Sequence, residues 1–189
     1  MATKIKAAQH LDEQELNKLL KYLLKNKLWT YYIMVRLGVS TALRFSDLSS
    51  LAWGDVMHKQ KITIREKKTK KTREIPISVE LQKLLLDTHT KLKNPELETR
   101  VIPLHIRTVN KQLKIYASNA GIRGKRISTH TWRKTFGREV WKRNNYSEAS
   151  LVKLSYLLNH SSTSITRVYL DITREEISNL YEIEDIFAY

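Results

Sequence analysis

The spacing of apolar residues predicts two helices in the first quarter of the chain. In "LDEQELNKLLKYLL", residues 11–24, leucines recur close to the 3.6-residue helical period. Asp12 and Glu15 have the spacing of a capping box, which places the start of the first helix there. The following "WTYYIMVRLGVSTALRFSDLSSLAW" is apolar nearly all round, as in a helix buried in a core, and Gly38 and Ser40 are the candidate positions for a break.

The pattern then changes to the two-residue period of β-strands. Apolar and polar residues alternate in "KITIRE" and again in "TREIPIS", where Ile75 and Ile77 share one face. The charged segment "KKTKK" separates the two runs. We therefore expect an antiparallel β-hairpin with a lysine-rich tip.

Helical periodicity returns for the rest of the chain. It is found in "SVELQKLLLDTHTKL", "IRTVNKQLKIYASNAG", "HTWRKTFGREVWKR", "SEASLVKLSYLLNH", "SITRVYL" and "TREEISNLYEIEDI". A length of 189 residues is typical of one large domain. The predicted fold class is α+β, a mostly helical domain with a small antiparallel sheet.

The charge balance indicates a polyanionic partner. The chain has 34 Lys and Arg against 19 Asp and Glu, a formal charge of +15. Cations that neutralise phosphates release condensed counterions, so DNA and RNA are the leading candidates. The alternative is a basic protein with a solvated surface, such as a ribosome-associated or membrane-surface domain.

Composition also limits the compartment and the cofactors. No stretch approaches the roughly 20 apolar residues of a membrane span, and the start, "MATKIKAAQH", lacks the apolar region of a secretory signal. The absence of cysteine excludes disulfides and thiolate metal sites. We expect a cytoplasmic protein that is not attached to a membrane.

Several polar residues are candidates for chemistry, although each is ordinary when taken alone. Arg44 ends a hydrophobic run, where a guanidinium is costly unless it is paired or faces a ligand. His130 and Arg133 are three residues apart on a predicted helix, a spacing that often arises by chance. His160 lies in a polar turn nine residues before Tyr169. Their order along the chain is more informative than any one of them.

In that order, from about residue 11 to 186, the chain resembles the tyrosine recombinases, or phage integrase family. "TALRFSDLSSLAWGDV" is similar to the first arginine box, "THTWRKTF" to the His-x-x-Arg box, "LLNH" to the second histidine box and "RVYL" to the nucleophile segment. The resemblance implies the following catalytic residues: Arg44, His130, Arg133, His160 and Tyr169.

The family also has a catalytic lysine near the turn of its strand pair. Counted back from "IPI", Lys68 matches best, and Lys67, Lys70 and Lys71 remain as alternatives.

The sequence departs from the family pattern at three positions without losing a catalytic group. Asp47 stands where Glu is more frequent, Trp132 where Leu is frequent, and Asn159 where Gly usually precedes the histidine.

The residue types suit in-line attack on a phosphodiester. Two guanidiniums, Arg44 and Arg133, can bind the non-bridging oxygens as negative charge spreads over them. A tyrosine hydroxyl has a pKa of about 10 and needs a proton acceptor, the role assigned to His130. The departing 5′-hydroxyl needs a general acid, the role assigned to Lys68.

His160 can hydrogen-bond a non-bridging oxygen and position the phosphate. Attack by Tyr169 gives a covalent 3′-phosphotyrosyl link, which a second 5′-hydroxyl can reverse. A two-metal nuclease would need clustered carboxylates, and no acidic cluster has that spacing. We therefore expect no metal and no cofactor.

The expected partners are double-stranded DNA with specific recombination sites and further copies of the chain, a tetramer on paired sites. Two basic stripes are candidates for holding the duplex, and for each a solvated helix face explains the pattern about equally well. The first contains Arg107, Lys111 and Lys114, opposite Ile106, Val109 and Leu113. The second contains Lys134, Arg138 and Lys142.

The resemblance implies that residues 1–189 are a catalytic domain without the N-terminal DNA-clamping domain that family members usually have. The apolar tail, 171–189, can fold back in cis or dock on a neighbouring subunit, and the resemblance favours the second, an exchange of tails between subunits. Two alternatives to a recombinase remain: a type IB topoisomerase, which shares the tyrosine chemistry, and a catalytically silent module that occupies recombination sites.

Overall fold

The computed structural model describes residues 7–172, and this part of the chain is mostly helical, with one two-stranded antiparallel sheet. The predicted fold class is confirmed. The helix predicted in "TREEISNLYEIEDI" lies outside the described residues. The expected exchange of the tail between subunits concerns the same part of the chain. In chain order the elements are α1 (Glu13–Lys25), α2 (Trp29–Thr41), α3 (Phe45–Leu48), β1 (Lys61–Arg65), β2 (Thr72–Pro76), α4 (Val79–Lys91), α5 (Ile106–Asn119), α6 (Thr131–Arg143), α7 (Glu148–Leu158) and α8 (Thr163–Tyr169).

The chain divides into two compact units, Met1–Phe136 and Gly137–Tyr189, with the boundary inside α6. The core of the first unit consists of the apolar faces of α1, α2, α4 and α5, the inward side of the hairpin and Trp132. Within residues 7–172, no helix is long and apolar enough to cross a membrane.

The first helix begins where the sequence predicted. The backbone N–H of Glu15 donates to Asp12 Oδ1, and the backbone N–H of Asp12 donates to Glu15 Oε2, both at 2.9 Å. This capping box satisfies two N–H groups that would otherwise lack partners at the helix start.

The apolar run that follows α1 is interrupted, as expected. The interruption is not at Gly38 or Ser40, which both lie within α2. The chain leaves the helix at Ala42, which has a left-handed backbone with φ 52°. Gly38 instead makes room for a neighbour, since a Cβ built there would lie 2.7 Å from Trp132 Cδ1. The glycine therefore lets α2 approach Trp132 closely.

The hairpin has the predicted alternation. Ile62 pairs with Ile75, and Ile64 pairs with Arg73, so the inward positions of the two strands face each other. At the turn, the backbone N–H of Glu66 donates to the Lys71 carbonyl at 2.9 Å, and the N–H of Lys70 donates to the Glu66 carbonyl at 2.9 Å.

The second unit contains α7 and α8. Leu151, Leu154 and Leu158 of α7 are buried, as is Leu170 at the end of α8. An ion pair between Arg167 and Glu148 links the two helices at the surface.

Candidate active site

Four of the predicted catalytic residues lie around one cleft in the first unit. The cleft has a volume of about 300 Å³. Its lining comes from four separate segments of the unit and consists of Arg44, Phe45, Ser46, Lys68, Ile106, Thr129, His130 and Arg133.

Arg133 is held by the turn that follows α2. Its side chain is buried, and Nη1 donates to the carbonyl oxygen of Ala42. Because Ala42 precedes Arg44 by only two residues, the break in the helical run positions both predicted arginines at once. The left-handed conformation of Ala42, which is uncommon for a residue with a Cβ, is part of this arrangement.

Arg44 precedes α3 and is paired, as its place at the end of a hydrophobic run required. Its Nη1 lies 3.0 Å from Glu66 Oε2, and the two side chains are 16% and 0% exposed. The guanidinium thus lines the cleft with its orientation fixed from one side.

Glu66 has two further partners. Oε1 accepts from Arg73 Nη1 at 3.0 Å, and Oε2 accepts from Thr69 Oγ1 at 2.7 Å. Burial favours a higher pKa for this carboxyl group, but the hydrogen bonds from Thr69 and Arg73 and the charges of Arg44 and Arg73 outweigh it. The pKa of Glu66 is therefore below its ordinary value, and the group is ionised at neutral pH.

The lysine-rich turn is anchored by Asp47, one of the three departures from the family pattern. Oδ1 of this buried carboxylate accepts from the backbone N–H of Lys67 at 2.8 Å. Among the lysines of the turn, Lys68 is the one whose side chain lines the cleft, and it is exposed. This placement favours Lys68 over Lys67, Lys70 and Lys71, although its role as an acid stays a prediction.

His130 immediately precedes α6. Its backbone N–H donates to Ser128 Oγ at 3.2 Å, and the preceding N–H of Thr129 donates to Asn110 Oδ1 of α5 at 2.9 Å. The pKa of His130 is lowered from 6.5, first by desolvation of the ring and then by the positive charges of Arg133, Lys134, Arg44 and Lys68. A neutral imidazole, able to accept a proton, therefore predominates at neutral pH.

The second unit brings together His160 and Tyr169. Their ring centroids are 5.1 Å apart in an edge-to-face contact, and His160 Nδ1 lies 3.0 Å from the hydroxyl of the buried Thr166. Asn159 ends α7 with a left-handed backbone, φ 52°. After Gly, Asn is the residue that adopts this conformation most readily, so the change from the family's usual Gly preserves the turn into His160.

The α5 stripe is exposed as predicted. Arg107, Lys111 and Lys114 face solvent, while Val109 and Leu113 are fully buried on the other side. Ile106 differs from the expectation, because it is 42% exposed and lines the cleft. Contact of this stripe with DNA stays a prediction.

The α6 stripe is not a continuous exposed face, and the prediction is wrong for Lys134. This side chain is only 3% exposed, because the first turn of α6 is almost entirely buried. Arg138 is partly exposed and stacks on its own helix, with its guanidinium carbon 5.5 Å from the Trp141 ring centroid. Lys142 is exposed.

Sequence reasoning overlooked Glu66, although a signal was present. In "KITIRE" the inward positions are Ile62 and Ile64, and the same two-residue period places Glu66 inward as well. A charged residue at a core-facing position needs buried partners. That requirement points to arginines nearby.

No group of three or more His, Asp or Glu side chains that could hold a metal ion occurs in the part of the chain that the structure describes. The expectation of a metal-independent reaction therefore remains a prediction.

Comparison with known proteins assigns the chain to a family. The model of the phage integrase family matches residues 9–176. A probable integrase/recombinase of Bacillus subtilis (strain 168), YoeC, is 29% identical over 174 residues, which are 90% of this chain and 92% of that protein. The chain therefore belongs to the phage integrase family, the tyrosine recombinases, which cleave and transfer DNA strands.

Two solved structures show the same fold. XerH recombinase bound to its palindromic difH substrate superposes with a TM-score of 0.70 at 19% identity, covering 94% of this chain. A lambda integrase tetramer bound to a Holliday junction gives 0.64 at 21% identity and covers 89%. This chain spans 54% and 50% of those two chains, so it corresponds to about half of each.

Proposed function

We propose that this chain is a site-specific recombinase that cuts and rejoins DNA through a covalent 3′-phosphotyrosyl intermediate on Tyr169. The observation that supports the proposal most strongly is the cleft of the first unit, in which Arg44 and Arg133 are held by other groups of the protein beside Lys68 and His130. Such preorganised donors stabilise charge that develops in a transition state.

Each side chain has one step in the proposed reaction. The Tyr169 oxygen attacks phosphorus in line and the bond from phosphorus to the 5′-oxygen breaks. Arg44 and Arg133 neutralise the non-bridging oxygens, and His160 donates a hydrogen bond to one of them. The neutral imidazole of His130 accepts the tyrosine proton, and Lys68 gives a proton to the departing 5′-oxygen.

Reversal of these steps by a 5′-hydroxyl from a second duplex joins a new strand. We propose that this exchange takes place in a tetramer on two paired DNA sites, as supported by the fold shared with the lambda integrase tetramer on a Holliday junction. We also propose that the protein acts in the cytoplasm, where its DNA substrate would be.

Selection of DNA by covalent capture tests this function and identifies the target DNA sequence in the same experiment. The protein is incubated at low salt with nicked duplexes of randomised sequence, in which the small fragment released by cleavage diffuses away. Protein–DNA adducts are then isolated under denaturing conditions and sequenced. We expect an enriched sequence with the wild-type chain and no adduct with Tyr169→Phe.

The selected sequence then separates recombination from relaxation. Two copies placed on one supercoiled plasmid should give a recombined product. Relaxation of the plasmid without exchange would instead assign the chain to the topoisomerase chemistry, and binding of the sequence without any adduct would assign it to a silent DNA-binding role.

A further inference from the structure

Glu66 is a buried carboxylate to which the proposed reaction assigns no step. Its side chain has 0% exposure and lies at the end of β1, where the strand enters the lysine-rich turn. Its two oxygens bind different partners. Oε2 accepts hydrogen bonds from Arg44 and Thr69, and Oε1 accepts one from Arg73.

The contacts of Glu66 join three segments around the cleft. Arg73 extends the network by donating from Nη2 to the Thr41 carbonyl at 3.3 Å, at the last residue of α2. The Thr69 contact holds the lysine-rich turn, since Thr69 follows Lys68 directly. One carboxylate thus connects the end of α2, the hairpin and the Arg44 guanidinium.

Stability alone does not account for this choice of residue. A buried ion pair is often no more stable than apolar side chains of similar volume. The charge count is also uneven, because one carboxylate faces two guanidiniums and leaves an excess of one positive charge beside the cleft. An arrangement of this kind orients a guanidinium without cancelling the charge that a phosphate would meet.

We propose that Glu66 is a positioning residue for DNA cleavage, which holds the Arg44 guanidinium in the orientation that binds a non-bridging oxygen. The inference rests on the proposed function, because Glu66 acts through Arg44. A long arginine side chain has many rotamers, and fixing it before DNA arrives removes an ordering step from the approach to the transition state.

The test compares single-turnover adduct formation by the wild type and by Glu66→Gln on the covalently selected duplex. We expect the rate to fall about 10- to 100-fold, the size of loss found when groups that orient metal-binding side chains are removed. The affinity for uncleaved duplex, measured by fluorescence anisotropy, should stay within about threefold because few of the phosphate contacts change.

Glu74→Gln is the matched control. Glu74 lies on the other strand of the same hairpin and pairs with Lys61, but both side chains are 56% exposed. Its removal changes the net charge equally and should leave the rate within about twofold, since exposed pairs contribute little.

A second substrate distinguishes the arginine from the lysine-rich turn. With sulfur in place of the bridging 5′-oxygen, the leaving group is a thiol with a pKa of about 8.5, which departs as thiolate without a proton from an acid. The defect of Lys68→Ala should therefore largely disappear on this substrate. The defect of Glu66→Gln should persist, because the non-bridging oxygens still need Arg44.

Three results would overturn the proposal. The first is a wild-type rate for Glu66→Gln, and the second is a defect seen only with the substrate that has the bridging 5′-oxygen. The third is a fall in rate that the smaller fraction of folded, DNA-bound protein explains completely.

If Glu66→Gln does not fold, the double variant Glu66→Gln/Arg73→Gln replaces it, because it restores the wild-type excess of one positive charge. A wild-type chain that forms no adduct would instead refute the proposed function itself.

Discussion

At the scale of single residues, neighbouring groups hold the predicted catalytic side chains within each unit. In the first unit the carbonyl of Ala42 binds Arg133 and Glu66 binds Arg44, and in the second unit the Thr166 hydroxyl contacts His160. The same crowding of cations that suits a phosphate also acts on His130, whose pKa is below 6.5. The protonation of His130 therefore gives a measurable signature of the cleft.

The second-order rate constant of adduct formation should fall at acid pH with a midpoint below 6.5, because it reports the DNA-free protein, in which the proposed base must be neutral and its pKa is lowered. Rates measured well below saturation with DNA, between about pH 5 and pH 8, give the midpoint.

Lys134→Met should move this midpoint upward, since it removes one of the charges that lower the pKa of His130. A midpoint above 6.5 in the wild type, or no upward movement in the variant, would contradict the role of His130 as the base.

At the scale of elements, the contact of α2 with Trp132, in the first turn of α6, lies between the two predicted arginines. Arg44 follows the end of α2, and Arg133 follows Trp132 in the first turn of α6. Gly38 lies at their contact, where an added Cβ would be 2.9 Å from both Cβ and Cγ of Trp132. These atoms are close to the backbone and cannot swing away, so the turn that carries Trp132 would have to move away from α2.

Gly38→Ala should destabilise the protein by about 1–3 kcal/mol, the usual cost of overpacking a core. Thermal or urea unfolding measures this, with Ser40→Ala, an exposed position on the same helix, as the control that should change little. Equal stability of the two variants would show that the α2–α6 contact is looser than the structure indicates.

The sequence predicted most elements of this fold because their signals are local. Each signal lies within one or two helical turns or strands. Examples are the capping box at Asp12, the alternation of the hairpin and the apolar face of α5. The break at Ala42 and the burial of Lys134 were not predictable in the same way. The carbonyl of Ala42 accepts a hydrogen bond from Arg133, 91 residues further along the chain. Lys134 is 3% exposed, and a helical spacing of basic residues does not specify which of them tertiary packing buries.

The residues of the candidate site also differ in how far the sequence predicted them. Arg44, Lys68, His130 and Arg133 were identified by residue type and order, and the structure brings them to one cleft. The residues that hold them, Glu66 among them, depend on cross-strand and long-range contacts that a motif does not specify.

At the scale of the whole molecule, the excess of positive charge makes DNA affinity strongly dependent on salt. The formal charge is +15, and the exposed face of α5 presents three of the cations. Each phosphate that a cation neutralises adds about 0.9 to the slope of log affinity against log salt.

Lys111→Ala should lower this slope by about 1 if α5 lies along the duplex. Lys91→Ala, at the exposed end of α4, changes the net charge equally and should leave the slope unchanged. Titration of duplex between about 50 and 200 mM salt measures both variants. Equal slopes for the two variants would remove α5 from the proposed DNA-binding surface.

The proposed reaction attaches Tyr169 covalently to DNA. Peptide mapping by mass spectrometry of adducts trapped on the selected nicked duplex tests it most directly. Tyr156→Phe is the matched control, since Tyr156 is a highly exposed tyrosine, 77%, in the same unit. We expect a phosphotyrosyl nucleotide on Tyr169, full adduct formation by Tyr156→Phe and none by Tyr169→Phe. An adduct on another residue, or one that persists in Tyr169→Phe, would contradict it.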